Sequence, residues 1–347
     1  MPPAERVLTR RDLNRAVLAR QCLLTRVRAP LPRVLERVAG LQAQYAPSMY
    51  LGLWSRVEGF HRETLTRALE RRSVVQGTLL RSTIHLVSAG DYWPFAVAVR
   101  APRRDWYLRV SRLGADPGPY EAAAATLSDA LAERGRLRRG EIDELVGREL
   151  RDGVGLWLDL VRVPPSGTWE RRRADHYAAA EEWLGPPQVG VDDARELVVR
   201  RYLRGFGPAT ALDVAGWSGL PVASVAAVLA RLPVRRFRME DGAVLVDLPR
   251  APLPGADAAA PVRFLPTWDA TLLVHARRAG ILPEEYRPRV FSTRRPQSVP
   301  TFLVDGAVAG TWRYEEGRVR TEEFAPLPVR TRRELAAEGE RLAAWHG

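Results

Sequence analysis

The chain has 347 residues, 46% of them hydrophobic and 27% charged, a composition typical of folded globular proteins and a length that suggests two or three domains. No run approaches the roughly 18 apolar residues that cross a bilayer, and the first 13 residues lack the apolar core of a signal peptide, so a cytoplasmic protein without a membrane partner is expected. The single cysteine, Cys22, excludes an internal disulfide, and five scattered histidines offer no zinc-ligand spacing.

The 53 basic residues outnumber the 41 acidic ones, giving a net charge of +12, and every basic residue is arginine. The absence of lysine beside abundant Ala, Gly and Pro reflects a GC-rich coding habit. That habit does not explain the excess of basic over acidic residues. A basic surface of this kind neutralises phosphates and releases counterions, so a nucleic-acid partner is expected.

In chain order, Thr9 is a fitting N-cap for a helix over residues 10–21, with Asp12 as its capping-box partner. A second helix is expected over 32–41, where Val34, Leu35, Val38 and Leu41 form an apolar face and Gln42 and Gln44 fall at the C-terminal end. Residues 62–72 read as a third helix, and 74–78 and 82–87 as strands. Helices follow over 89–99 and 101–111 before a turn-rich break at 114–119. Helix, helix, helix, hairpin is the order of a winged helix.

A second unit of that order spans 116–190, with helices over 120–135 and 138–151 and a hairpin formed by 156–163 and 168–177. A third spans 191–255, with helices over 193–205, 208–217 and 222–232 and a hairpin about Glu240-Asp241-Gly242. Past a Pro- and Ala-rich linker, short strands over 262–265, 301–304, 307–314 and 318–326 and a helix over 331–345 define a small β-rich module, 256–347. The expected class is α+β: three tandem winged-helix units, the first over 1–115, followed by that module.

The residues able to do chemistry are unusual. No nucleophile elbow, P-loop or dinucleotide fingerprint occurs, and His61, His176, His275 and His346 lack carboxylate or cysteine partners at useful spacing, so cofactor-free chemistry or none is implied. The pair Gln42 and Gln44 cannot abstract a proton, but its amides can orient water or a polar ligand. As a strand, Arg81, Thr83 and His85 share a face that could meet nucleic acid, His85 being either a phosphate or lesion contact or a structural histidine. Arg171, Arg172 and Arg173 on the second hairpin, and Arg235 and Arg236 on the third, are candidates for backbone or groove contacts. Trp54, Trp93, Trp106 and Trp157 read as core residues rather than stacking platforms.

Gly40-Leu41-Gln42-Ala43-Gln44, then Thr78-Leu79-Leu80-Arg81-Ser82-Thr83-Ile84-His85-Leu86-Val87 and Asp91-Tyr92, resemble the AlkZ/YcaQ family of winged-helix DNA glycosylases. Arg200-Arg201-Tyr202-Leu203, Gly207-Pro208-Ala209-Thr210, Arg263-Phe264-Leu265-Pro266-Thr267-Trp268-Asp269 and Ala309-Gly310-Thr311-Trp312-Arg313 extend the resemblance over nearly the whole chain. It implies three winged helices in a C-shaped arrangement around a basic channel, and removal of N-alkylated purines from double-stranded DNA by a nucleoid-associated, monomeric enzyme without a cofactor. Gln42-Ala43-Gln44 matches the Gln-x-Gln form of the branch that unhooks interstrand crosslinks as self-resistance, and it assigns catalysis to Gln42 and Gln44. A purine alkylated at N7 already carries positive charge and departs as a neutral base without protonation, which is how two amides could suffice. Without the resemblance, winged helices and basic charge fit a non-catalytic DNA-binding regulator equally well, and an RNA-binding protein stays open.

Overall fold

The first helix begins where Thr9 places it. The Thr9 hydroxyl accepts from the Asp12 amide at 3.0 Å while the Asp12 carboxylate accepts from the Thr9 amide at 2.9 Å, a reciprocal cap that starts the helix Arg10–Arg20. Residues 6–111, 114–173, 175–273, 280–291 and 298–347 are described by the computed structural model of the chain, and His275 lies outside them. The fold is α+β, with helices packed on three sheets among the described residues.

The second helix, Leu31–Val38, ends three residues before its expected end, because Ala39 and Gly40 both take left-handed conformations at φ +65° and +78°. Gln42 therefore sits on a short strand, Leu41–Gln42, rather than on a helix end. A helix absent from the sequence reading follows, Ala46–Arg56, buried at every position. Its few polar residues, Ser48, Ser55 and Arg56, are buried and bonded inside the protein, so no solvent-facing stripe marks the helix. Arg62–Glu70 is the expected third helix, and the two predicted helices after the hairpin are one, Ala89–Val110, which runs through Pro94 and Pro102. Its Phe95, Ala96, Ala98 and Val99 are buried in the core that also takes Val198, Tyr202 and Phe206, and this packing outweighs the proline penalty.

The strands Val74–Thr78 and Ile84–Ser88 form the first hairpin, and a one-turn 3-10 segment, Leu80–Ser82, joins them. The second hairpin is shorter than expected, Leu160–Arg162 with His176–Ala179. Residues 164–173 are a self-bonded loop instead of strand: Thr168 Oγ1 donates to the Pro165 carbonyl at 2.8 Å and Ser166 Oγ to the Arg173 carbonyl at 2.8 Å. The helix expected over 138–151 is broken in two, Arg139–Val146 and Arg148–Val154, at Gly147, whose φ of +79° an L side chain would resist. Both hairpins belong to one six-stranded sheet, joined where Gln76 and Gly77 pair with Arg162 and Val161.

Helices Val191–Phe206, Ala211–Ser218 and Val222–Arg231 precede the third hairpin, Arg235–Met239 with Val244–Asp247. Val7–Leu8 adds to this hairpin as a parallel strand. Arg20, in the first helix, meets Asp247 through two 2.8 Å hydrogen bonds with both side chains fully buried. The C-terminal module is a four-stranded antiparallel sheet, Arg263–Leu265, Thr301–Val304, Ala307–Glu315 and Arg318–Glu323, closed by the helix Val329–His346. Its Asp269 carboxylate accepts from the buried Arg56 guanidinium at 3.0 Å, which ties the module to the helix after the glutamine pair.

Candidate active site

Gln42 is aimed by backbone pairing. Leu41 and Gln42 pair antiparallel with Leu86 and His85, and the Ala43 amide extends the ladder to the Ile84 carbonyl at 2.8 Å. Residues directly opposite in such a pair leave the same face of the sheet, so Gln42 and His85 are neighbours there. Gly77 is next in the same row. A Cβ at Gly77 would fall 2.6 Å from Cε2 of Tyr92, so the missing side chain is what lets the Tyr92 ring lie on that face.

The two glutamines are linked amide to amide, Gln42 Nε2 donating to Gln44 Oε1. Gln42 is nearly buried and Gln44 exposed. Gln44 thus presents an amide whose oxygen is fixed from behind and keeps a lone pair for a further donor. Gln42 Oε1 is buried without a partner among the described residues, an acceptor left unsatisfied by the protein itself. This short strand, the outermost of the six, ends beside the helix Ala46–Arg56, whose Ser48 hydroxyl lies 2.7 Å from that of Thr267 in the C-terminal module.

His85 is 3% exposed, and its Nδ1 donates to the Thr83 carbonyl at 3.0 Å. A carbonyl can only accept, so the neutral tautomer carries its proton on Nδ1 and leaves Nε2 a bare acceptor. Burial first, then the charges of Arg81 and Arg103, push the imidazole down to about 3 against the smaller upward pull of Thr83. His85 is therefore neutral at physiological pH and offers no cation to a phosphate. The expected strand face of Arg81, Thr83 and His85 does not form, because the strand begins at Ile84. Arg81 and Ser82 lie in the turn before it with left-handed φ of +51° and +58°, and Thr83 Oγ1 donates to the Leu80 carbonyl at 3.0 Å. Burial lowers Arg81 to about 10, so it stays charged, and its Nη1 donates to the Trp217 carbonyl, tying the first hairpin to the helix Ala211–Ser218.

The remaining arginines divide by partner. Arg235 bonds the Asp247 carboxylate at 2.8 Å and the Ala251 carbonyl at 2.7 Å, whereas Arg236 is exposed. Arg171, Arg172 and Arg173 are exposed on the loop of the second hairpin, with Arg172 stacked 5.3 Å over Trp169 and Arg173 3.7 Å from Asp175. That hairpin's first strand lies three strands from Leu41–Gln42 in the sheet, about 14 Å. Among the scattered histidines, His176 does have a carboxylate partner, Asp175, 3.0 Å from its Nδ1. Among the described residues no three His, Cys, Asp or Glu side chains gather to hold a metal, and no helix is long and apolar enough to cross a membrane.

Two features escaped the sequence reading. Asp91 and Arg201 form a bidentate pair at 2.8 Å, joining the helix Ala89–Val110 to the helix Val191–Phe206. Trp106 is 49% exposed. It lies in helical phase with the buried Val99, seven residues earlier, so periodicity predicts burial; past Val99 the packed face of the helix passes instead to the buried Arg103 and to Tyr107, which meets Tyr120 and Trp157, and Trp106 is left facing outward.

An amide pair with no ionisable side chain, on a helix-and-sheet scaffold of strongly basic charge, defines a DNA-acting enzyme once the comparisons are added. The family model described as DNA glycosylase AlkZ-like matches residues 35–345. The chain is a DNA glycosylase, an enzyme of DNA repair. It belongs, in particular, to the AlkZ-like family. The solved structure of Streptomyces sahachiroi DNA glycosylase AlkZ matches with a TM-score of 0.75 at 19% sequence identity, covering 98% of this chain and 96% of that one, which shows a shared fold. No curated protein matches the chain.

Proposed function

We propose that the protein hydrolyses the N-glycosidic bond of N7-alkylated, cationic guanine adducts in double-stranded DNA, acting as a monomer through Gln42 and Gln44. The observation that carries this reading is the exposed Gln44 amide held from behind by Gln42, across the strand pair from a histidine, His85, that is buried and neutral. The bond from C1′ to N9 breaks with its electron pair moving into the purine, which leaves neutral because it was cationic. The sugar is left oxocarbenium-like. Water held by the Gln44 carbonyl oxygen adds to C1′ and releases its proton to solvent. Amide oxygens turned toward the sugar also favour its developing positive charge. Selectivity for charged lesions follows, because two amides supply no acid for a neutral leaving group.

Bulky adducts and interstrand crosslinks joined through N7 of guanine belong to the same reading, since their leaving groups carry the same charge. Such chemistry suits resistance to a DNA-alkylating antibiotic. The support is the Gln42-Ala43-Gln44 pattern itself.

The test is release of free base from duplexes carrying N7-methylguanine, a bulky N7 adduct or a crosslink, followed by cleavage at the abasic site. Wild type is expected to release base from each and to leave unmodified guanine intact. Gln44→Ala should lower the single-turnover rate by about 100-fold or more, the scale of losing one preorganised polar group. Equal rates for wild type and the Gln42→Ala/Gln44→Ala double variant would refute the assigned site.

A further inference from the structure

The turn that carries Arg81 and Ser82 does more than join two strands. Together with the last turns of the helix Ala89–Val110 and with Gly219, Leu220 and Pro221, it encloses an open groove of about 510 Å³. Trp106 stands in the wall of this groove and, with Ser82, also lines a second cavity of about 390 Å³ that reaches Tyr107 and Arg162. Its indole is thus a ridge between two hollows. Arg109 is exposed one turn further along the helix, and Arg81 and the buried Arg103 add positive charge to the wall. Asp105 is the one acidic residue of that lining.

The groove is held open. Gly219, at φ +80°, lets its turn pack against Arg81, where a Cβ would lie 3.6 Å from the Arg81 amide nitrogen. Arg81 in turn spends a guanidinium hydrogen bond on the Trp217 carbonyl. Arg103 is anchored to the Leu79 carbonyl at 3.1 Å. Two consecutive non-glycine residues at left-handed φ, Arg81 and Ser82, keep this turn in a conformation that costs free energy and that the surrounding contacts maintain.

An aromatic face with apolar walls and a rim of arginines suits one occupant that DNA, this enzyme's partner, can supply. A nucleobase freed from its pair offers a flat face to the indole, and its flanking phosphates meet Arg81 and Arg109. A paired base inside a duplex cannot present that face. We propose that this groove binds an unpaired nucleobase of the DNA, stacked on Trp106, so that the enzyme favours duplexes in which a base has lost its partner. A base opposite a lesion or an abasic product is in that state. The groove neighbours the glutamine strand: Ser82 in its lining is two residues before Ile84, whose carbonyl accepts from the Ala43 amide.

This site stands apart from the assignment of Gln42 and Gln44, and the test separates the two. Binding is measured by fluorescence anisotropy at one fixed salt concentration, using an intact duplex and the same duplex with a single unpaired base. Wild type should bind the second more tightly. Trp106→Ala should lose about 5- to 100-fold in affinity for the unpaired-base duplex, the range for removing one base-stacking ring, and less than about 2-fold for the intact one. Trp106→Phe should retain most of the preference. Trp106 is half exposed, so its removal leaves the core packing intact. Equal losses on both duplexes, no loss on either, or a wild type without preference would each overturn the proposal. The Gln42→Ala/Gln44→Ala variant should keep the preference whether or not it has lost base release.

Discussion

Gln42 lies directly across the strand pair from His85, and both side chains leave the same face of the sheet. The histidine facing Gln42 is thus a buried, neutral one, its proton fixed on Nδ1 by the Thr83 carbonyl. Chemistry at this place is expected to run without a titrating group supplied by the protein.

Acid should destabilise the fold through that histidine. Its pKa falls to about 3 on folding, below the ordinary value of 6.5, so between those limits the unfolded chain binds a proton that the folded one does not. Above pH 6.5 the group contributes nothing. Below it, stability declines by about 1.4 kcal/mol per pH unit, or about 2 kcal/mol between pH 7 and pH 5. His346, lowered to about 4 by burial and by Arg172 and Arg62, acts in the same direction. Urea unfolding at the two pH values should show a smaller loss for His85→Asn than for wild type, and a smaller one still with His346 also replaced. An unchanged slope in both variants would place the acid sensitivity elsewhere.

Gly77→Ala should cost about 1–3 kcal/mol, because the new methyl would meet the Tyr92 ring at 2.6 Å. Thermal unfolding should show the loss. Tyr92→Phe should not restore stability, since the clash is with the ring carbon and not the hydroxyl, whereas Tyr92→Leu in the Gly77→Ala background should recover part of it.

Asp247→Ala should be among the most damaging single changes, at about 3–5 kcal/mol, because it strands the Arg20 guanidinium in the interior. Replacing both partners with apolar residues of similar volume should be milder. Denaturant midpoints of the single and double variants provide the comparison.

Arg235 and Arg236 are adjacent yet should behave oppositely. Arg236→Ala should leave stability unchanged and reduce the slope of log affinity against log salt by about one on duplex DNA, the signature of one lost phosphate contact. Arg235→Ala should leave that slope alone and lower the melting temperature, because its guanidinium bonds Asp247 and Ala251. Salt titrations and melting curves on the two variants separate the roles.

Local signals survived the passage from sequence to structure where local chemistry decides the outcome. The Thr9 and Asp12 cap, the Asp241-Gly242 hairpin turn and the strand Thr301–Val304 are of this kind. Elements decided by tertiary packing were harder to see. The helix Ala46–Arg56 has no exposed face to betray it, and Ala39 takes a left-handed φ that alanine rarely adopts. With Gly40, that residue moves Gln42 from a helix end to a strand and Gln44 to the bend after it. The residue types at the site were visible in the sequence; the burial that neutralises His85 and the shift of the packed helix face that exposes Trp106 are properties of distance across the fold, which no spacing along the chain encodes.

The parallel pairing of Val7–Leu8 with Arg238 and Met239 has a consequence for how the molecule is made. During synthesis the strand Val7–Leu8 and the helix Arg10–Arg20 emerge well before their partners: Arg20 waits 227 residues for Asp247, and Arg15 waits 290 for Asp305. Until then two arginines destined for the interior, and the apolar face beside them, have no home. Contacts of such long sequence separation form slowly and leave unfinished surface exposed to aggregation. The nascent enzyme therefore closes by packing this strand and helix against segments made long after them, and a chain stalled before Asp305 should be a client of chaperones rather than a partly active glycosylase.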